Sequence, residues 1–347
     1  MDLKRTADWL EKNDYPKFRL RQISDAVYKK AVCGFDGITA LPVTLRAGLK
    51  SHFRILAFEP ETVLESKAGN AVKASFLLKD GLKIESALLS LFPARWSVCV
   101  STQDGCPVQC PFCATGRRGL KRNLSPDEII SQYLFWAQYL KKNRPREKIT
   151  GAVFMGMGEP FLNYDSVAKS IRTMTDPDLI GLGDRRLSVS TAGHVPGIRR
   201  FAKDFPQANL ALSLHAVDDA LRSRLVPLNE KYPLDQLVKA LRDYIFSTRR
   251  KVFIEYALLD GINDSQTAAK KLSEWIKSVE NVKYFNVNLI PYNDAGRAFR
   301  APARERSQIF ANLLLMFNIQ ATLRHSLGAD IKGACGQLAG SSTRDPA

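Results

Sequence analysis

Apolar residues in the first 50 positions recur at mixed spacings of three and four, as at Leu20, Ile23, Ala26 and Val27, and predict a small helical module. A turn region from Gly34 to Pro42 interrupts it. From about Phe58 to Leu91 the pattern changes to short alternating runs separated by Gly69-Asn70 and Asp80-Gly81, turn signals that predict a β-hairpin bridging two parts of the chain. After Arg95 the rhythm becomes strand then helix. Strand-like runs occupy 96–100, 149–155, 187–191, 210–214, 252–258, 284–290 and 319–323, with amphipathic stretches between most of them, and predict a parallel sheet that is open or barrel-like. Ser125-Pro126-Asp127-Glu128 supplies a capping-box pair and a proline at the first helical position, so a helix is expected from there to about Leu140, ending before Asn143. In a barrel of βα units the chemistry lies at the C-terminal ends of the strands, which is where functional residues are sought. No internal repeat or low-complexity segment is visible. The organisation expected is a helical module over 1–55, a β linker over 56–94 and a strand–helix core over 95–347.

Charge adds a partner class. Lys and Arg number 51 against 35 Asp and Glu, a formal charge of +16. Such an excess suits a polyanion, and a solvated basic surface is the plainer alternative. The chain begins with mixed acidic and basic residues and no apolar stretch approaches the roughly 20 residues that span a bilayer, so a cytoplasmic protein without a membrane partner is expected. Six cysteines (Cys33, Cys99, Cys106, Cys110, Cys113 and Cys335) are too sparse and too clustered for a disulfide framework, which leaves metal binding or thiol chemistry.

Cys106, Cys110 and Cys113 form a C-x3-C-x2-C array directly after the first strand of the βα series. A closed zinc site wants four ligands, and His194, His215 and His325 all lie in distant units. An iron–sulfur cubane held by three thiolates leaves one iron open for a cofactor or substrate. Two further loops carry candidate chemistry. Met155-Gly156-Met157-Gly158-Glu159-Pro160 would let backbone approach a ligand and place a carboxylate to accept a hydrogen bond from an amine. Gly333-Ala334-Cys335-Gly336 could bring a thiol into a crowded site, or hold an inert small residue.

The cysteine array, with Phe112 before its last member, resembles the radical S-adenosylmethionine (SAM) superfamily. CPVQCPFCATG, FMGMGEPFLNYD, SVSTAG, LSLHA, NLIPYN and DIKGACGQL, in this order from about Phe18 to Gly340, resemble the RlmN/Cfr family of RNA adenine methyltransferases. That resemblance implies a partial (β/α)6 radical SAM barrel with a small N-terminal helical accessory domain and a short β linker. It implies one [4Fe-4S] cluster on Cys106, Cys110 and Cys113, and two SAM molecules per methylation. Gly158, Glu159, Ser190, Ser213, Leu214, His215 and Asn293 would contact SAM, with His215 acting through backbone only. Cys335 would take a methyl group from the first SAM as a thiolate nucleophile. Release of the product would need Glu85 as proton acceptor and Cys99 as the thiol that closes a disulfide with Cys335. Cys33 matches no family position and is read as structural.

The implied substrates are C2 of the adenosine conventionally numbered 2503 in 23S rRNA and C2 of adenosine 37 in tRNA, with an electron donor such as flavodoxin. Methylation of C8 of the same rRNA adenosine is the nearest alternative: Pro160 leans toward the C2 group, whereas Arg324-His325-Ser326-Leu327 departs from that group's usual Arg-Lys or Arg-Arg start. A non-catalytic iron–sulfur RNA-binding factor is a rival from another class, and the Cys335 and Cys99 pair speaks against it. Among the basic pairs, the group from Arg117 to Arg122 beside the cysteine array is the first candidate for phosphate contact.

Overall fold

The computed structural model describes residues 1–296 and 299–339. Gly340, where the family-like stretch ends, lies outside the described residues. The N-terminal part contains α1 (Leu3–Lys12), α2 (Phe18–Ser24) and α3 (Val43–His52). The helices and the π-helical turn Asp25–Lys29 that continues α2 bury Leu10, Ile23, Val27, Leu45 and Leu49. This apolar cluster is continuous with that of the sheet that follows.

The expected hairpin is a three-stranded meander. β1 (Phe58–Glu65), β2 (Ala71–Leu78) and β3 (Lys83–Phe92) pair antiparallel, with turns at Gly69 and Gly81, both at positive φ. The second turn signal therefore marks a second hairpin. β3 also pairs antiparallel with β4 (Arg95–Cys99), so the meander extends the main sheet along its edge.

From β4 onward every strand of the main sheet is parallel to its neighbour: β7 (Lys148–Phe154), β8 (Leu187–Thr191), β9 (Asn209–Ser213), β10 (Val252–Leu258), β11 (Phe285–Pro291) and β12 (Ala321–Leu323). The seven predicted runs match these strands, most within a residue at each end. The connections carry α5 (Pro126–Asn143), α6 (Tyr164–Thr175), α7 (Val195–Asp204), α8 (Asp219–Leu225) with α9 (Leu234–Thr248), α10 (Gln266–Val279) and α11 (Arg304–Met316). A two-stranded ladder, β5 (Gln103–Asp104) with β6 (Arg122–Asn123), and the short α4 (Ala114–Arg117) lie between β4 and α5. The ten-stranded sheet has edges at β1 and β12 and does not close, which is the partial barrel the resemblance implies.

Local chemistry explains α5. The Ser125 hydroxyl accepts from the Glu128 amide at 3.3 Å, and the Glu128 carboxylate accepts from the Ser125 amide at 2.8 Å. The helix runs one turn beyond Leu140, because Lys141 and Lys142 favour its C-terminal end and Lys141 Nζ donates to the Lys30 carbonyl at 2.7 Å. Trp136 is fully buried and donates to Ser86 Oγ at 2.9 Å, and that hydroxyl donates to the Cys99 carbonyl at 2.7 Å. α5 thereby locks the strand that leads into the cysteine loop. Among the described residues no helix is long and apolar enough to cross a membrane.

Candidate active site

The cysteine loop leaves β4 and is closed at its base by the β5–β6 ladder. At Gly105, φ is +75° and an added Cβ would stand 1.6 Å from the Gly119 carbonyl oxygen, so only glycine allows the close crossing. The Cys106 amide donates to that carbonyl at 3.2 Å, and the Cys113 amide donates to the Cys110 carbonyl at 3.1 Å. A Cβ on Gly116 would lie 2.6 Å from the Cys110 carbonyl, which packs the loop tightly against α4. All three cysteines line one cavity at the C-terminal ends of the strands. Burial pushes the Cys106 thiol up to about 12 and Cys110 well above its ordinary value, with the neighbouring thiols adding to both. Such thiols hold their protons until a cationic centre displaces them.

No three His, Cys, Asp or Glu side chains among the described residues stand close enough to share a single ion. A cubane takes each thiolate on a different iron, so its ligands stand further apart than those of one ion. Three cysteines of a single loop facing one cavity are a donor set suited to that cluster, with the fourth position left to a ligand in the same cavity.

The opposite wall of that cavity comes from successive strand ends. Gly156 and Gly158 follow β7. A Cβ at Gly156 would meet Ser101 Oγ and the Val100 carbonyl at 2.7 Å, and Gly158 combines φ +100° with a Cβ position 2.6 Å from the Gln103 side chain. Glu159 is buried, with one carboxylate oxygen accepting from the Phe161 amide at 3.1 Å and the other from the Ala192 amide at 2.7 Å. Burial raises it to about 7. Ser190 and Ser213, at the ends of β8 and β9, face each other with hydroxyls 3.2 Å apart. His215 follows at φ +57°; its Nδ1 accepts from the Ala257 amide at 2.9 Å, and Phe112 meets its ring edge-on at 4.9 Å. Burial lowers His215 to about 3, so it is neutral at physiological pH. Leu214 is fully buried and is not among the cavity-lining residues; its amide donates to the Glu255 carbonyl and its own carbonyl accepts from Ala216 and Arg222. Asn293, beyond β11, donates from Nδ2 to the Cys335 carbonyl at 3.1 Å.

Cys335 lines this cavity and a second one inside the barrel, which also takes in Cys99. It is accessible because it borders both, while the surrounding protein and then Glu255 push its thiol up to about 11. Cys99 is buried, and desolvation followed by the nearby Cys335 raises its thiol strongly. Both thiols are free, so the disulfide implied by the resemblance is not formed here. The loop that carries Cys335 is pinned to the cysteine loop: the Ala114 amide donates to the Gly336 carbonyl at 2.8 Å, and Thr115 Oγ1 donates to the Leu338 carbonyl.

Glu85 sits on the same face of the sheet but is not among the residues lining either cavity. It is buried, paired with Lys73 Nζ at 2.9 Å, and its second oxygen accepts from the Ala339 amide at 2.7 Å. The segment after Cys335 thus caps one of its oxygens.

The basic group beside the cysteine loop is largely engaged inside the protein. Arg122 forks onto Glu128 and reaches Asp80, and Arg118 pairs with Asp104 and the Ala339 carbonyl. Lys121 remains exposed. Sequence reasoning passes over two site residues. Glu255, a buried carboxylate on β10 that accepts from Asn288 at 2.8 Å, borders both cavities. A lone acid within an otherwise apolar strand run was its available signal. Arg222 on α8 is wholly buried behind the strand ends and looks in sequence like any surface helix arginine.

Comparison with known proteins agrees with this geometry. Residues 100–270 match the Radical SAM superfamily. The chain is 41% identical to the probable dual-specificity RNA methyltransferase RlmN of Syntrophomonas wolfei, over 97% of this chain and 95% of that one. It is 43% identical to the protein of the same description from Heliobacterium modesticaldum, over 94% and 85% of the two chains. A crystal structure of a radical SAM methyltransferase from Sphaerobacter thermophilus superposes with a TM-score of 0.92 at 40% identity, covering 98% of each chain. With that identity sustained from end to end, the chain belongs to the RlmN family of the radical SAM superfamily.

Proposed function

We propose that this protein methylates C2 of adenosine 2503 in 23S rRNA and C2 of adenosine 37 in tRNA, with one [4Fe-4S] cluster, two SAM molecules per methyl group and an electron donor such as flavodoxin. The observation that carries the reading is the position of Cys335, which borders both the cavity of the three cluster cysteines and the cavity of Cys99. A thiol placed there can receive a methyl group on one side and meet a second thiol on the other. A non-catalytic cluster protein needs neither arrangement.

When bound, the cluster and SAM supply a 5′-deoxyadenosyl radical. The chain's own residues do the rest. Cys106, Cys110 and Cys113 hold the cluster. Gly158, Glu159, Ser190, Ser213, the backbone of Leu214 and His215, and Asn293 form the SAM wall, with the glycines admitting close backbone approach. Cys335 acts as thiolate toward the methyl carbon of the first SAM, and its raised thiol must lose a proton first. Once the 5′-deoxyadenosyl radical has taken a hydrogen atom from the S-methyl group, the methylene carbon has bonded to C2 and the adduct has given one electron back to the cluster, Glu85 would take the C2 proton. The Cys99 thiolate would then attack the Cys335 sulfur, the S–S bond forming as the S–CH2 bond breaks, and the released carbon would take a proton to become the methyl group. Lys73 holds Glu85 as an oriented carboxylate, and movement of the Ala339 amide frees one of its oxygens. The adenine must leave its stack to reach a carbon on the base edge, at a cost of about a few kcal/mol.

The test is anaerobic reconstitution with SAM, a reductant and a 23S rRNA fragment or tRNA, followed by nucleoside mass spectrometry. 2-Methyladenosine from wild type and none from Cys335→Ala is the expected result. An 8-methyl product would assign the alternative regiochemistry, and full methylation by Cys335→Ala would remove the thiol-carrier mechanism.

A further inference from the structure

Arg222 is a cation taken wholly out of water. Burying a guanidinium costs several kcal/mol unless it is paired, and the usual partner is a carboxylate. Here its hydrogen bonds go to neutral acceptors: Nη1 donates to Asn229 Oδ1 at 2.7 Å, Nη2 to the Ala192 carbonyl at 2.7 Å, and Nε to the Leu214 carbonyl at 3.1 Å. Among the described residues no carboxylate lies within ion-pair distance of it. Asp219, the nearest acid in its field, is instead engaged by the Asn229 amide at 2.8 Å and the Leu234 amide at 3.0 Å. The donors are satisfied, no direct ion pair neutralises the charge, and Asp219 reaches it only through Asn229.

That charge is directed at the cysteine loop. The Ala192 and Ser213 carbonyls that Nη2 holds belong to residues lining the cavity of Cys106, Cys110 and Cys113, and Cys106 and Cys110 pack against the apolar cluster of Ala192, Leu225 and Val226 beside it. Burial lowers the guanidinium only to about 10, so it stays cationic at neutral pH. The carbonyls it takes belong to the ends of β8 and β9, so it cannot swing away without releasing the SAM wall.

We infer that Arg222 is the fixed positive charge that raises the reduction potential of the cluster held by Cys106, Cys110 and Cys113. Reduction adds one electron to a site already carrying three thiolates, and cluster potentials respond to net charge, hydrogen bonding and solvent exposure. A cation without a direct ion pair in a desolvated wall acts through a low effective dielectric and favours the reduced form. The inference rests on the cluster reading given above, so cluster content is measured separately from potential.

Wild type, Arg222→Lys, Arg222→Gln and Asn229→Asp are reconstituted anaerobically, assayed for iron and sulfide, and titrated by EPR-monitored redox potentiometry without RNA. Arg222→Gln removes the charge, and Asn229→Asp neutralises it in place. Both are expected to lower the reduced-to-oxidised ratio about tenfold at a fixed ambient potential, equivalent to ~59 mV for a one-electron couple. Arg222→Lys keeps the charge and is expected to stay near the wild-type midpoint. If the Gln variant takes up no iron, Asn229→Asp carries the comparison; loss of the cluster from both would overturn the assignment, because Arg222 would then serve cluster assembly and not potential. An unchanged midpoint in the neutralised variants, a shift in Lys as large as in Gln, or cluster loss in all three would overturn it and leave Arg222 as a carbonyl staple. A wild-type protein that binds no iron would overturn the cluster reading itself.

Discussion

Two buried groups in the cavity wall titrate in opposite senses. Glu159 ordinarily ionises at 4.5 and is held near 7 by burial. The folded chain therefore keeps a proton that the unfolded chain releases, and stability present below pH 4.5 is lost as pH rises through 7. At 1.36 kcal/mol per pH unit this amounts to about 3 kcal/mol. His215 is lowered from 6.5 to about 3, so the unfolded chain takes up a proton that the folded chain refuses. Its contribution, on the order of 5 kcal/mol, is present above pH 6.5 and lost as pH falls toward 3. Between pH 4.5 and 6.5 the two oppose each other. In the cluster-free protein, urea unfolding of Glu159→Gln should show stability rising with pH more steeply than wild type across that window, and His215→Asn should show the reverse. Curves parallel to wild type in both variants would mean that neither group titrates as its burial dictates. The positive φ of His215 belongs to the same picture, since a non-glycine residue held in the left-handed region at the cavity wall needs its surroundings to fix it there.

At the scale of elements, the cysteine loop depends on closures that substitution can break one at a time. Gly105→Ala would drive a methyl group into the Gly119 carbonyl and open the β5–β6 base of the loop. Reconstituted iron content should fall severalfold while far-UV circular dichroism stays native, because the strand–helix core does not use that crossing. Wild-type iron uptake would show that the loop closes another way. Ser125→Ala removes one half of the capping box on α5 and should cost about 1 kcal/mol, read as a lower urea midpoint at unchanged slope. The effect stays modest because Glu128 keeps its fork with Arg122. That fork also shows why Arg118 and Arg122 are poor candidates for phosphate contact: their charge already joins β6, α5 and the C-terminal segment around the loop.

For the whole molecule, the charge of +16 bears on substrate binding through salt. If the protein engages RNA through about 6–10 phosphate contacts, affinity should drop at least about 10³-fold between 50 and 200 mM salt, measured by filter binding or fluorescence anisotropy. Lys121→Ala, at an exposed position beside the cysteine loop, should reduce the logarithmic salt slope by about one and weaken all RNAs alike. A slope near zero would remove the electrostatic account of the basic excess. The helical module, the meander and the barrel share one apolar cluster.

Much of this architecture is legible in the chain itself. The βα rhythm, the start of α5 and the cysteine triad are local properties: apolar periodicity follows from the geometry of one segment against solvent, a capping box spans four residues, and three ligands within one loop need no distant partner. Local pattern also marks the turns of the meander, though not their number of strands or their junction with β4. The rest depends on contacts between remote segments. Cys335 borders the cavities of both the cysteine loop and Cys99 because Gly336 and Leu338 are bonded to α4, and Glu85 is covered because Ala339 crosses β3. Whether an arginine serves RNA, closes a loop or sits buried without a direct ion pair like Arg222 is set by which partners the fold brings within hydrogen-bonding distance. The sequence by itself determined the segments and the chemistry they carry; only the tertiary structure decided which side chains meet, because burial and pairing are fixed by the packing of elements far apart in the chain.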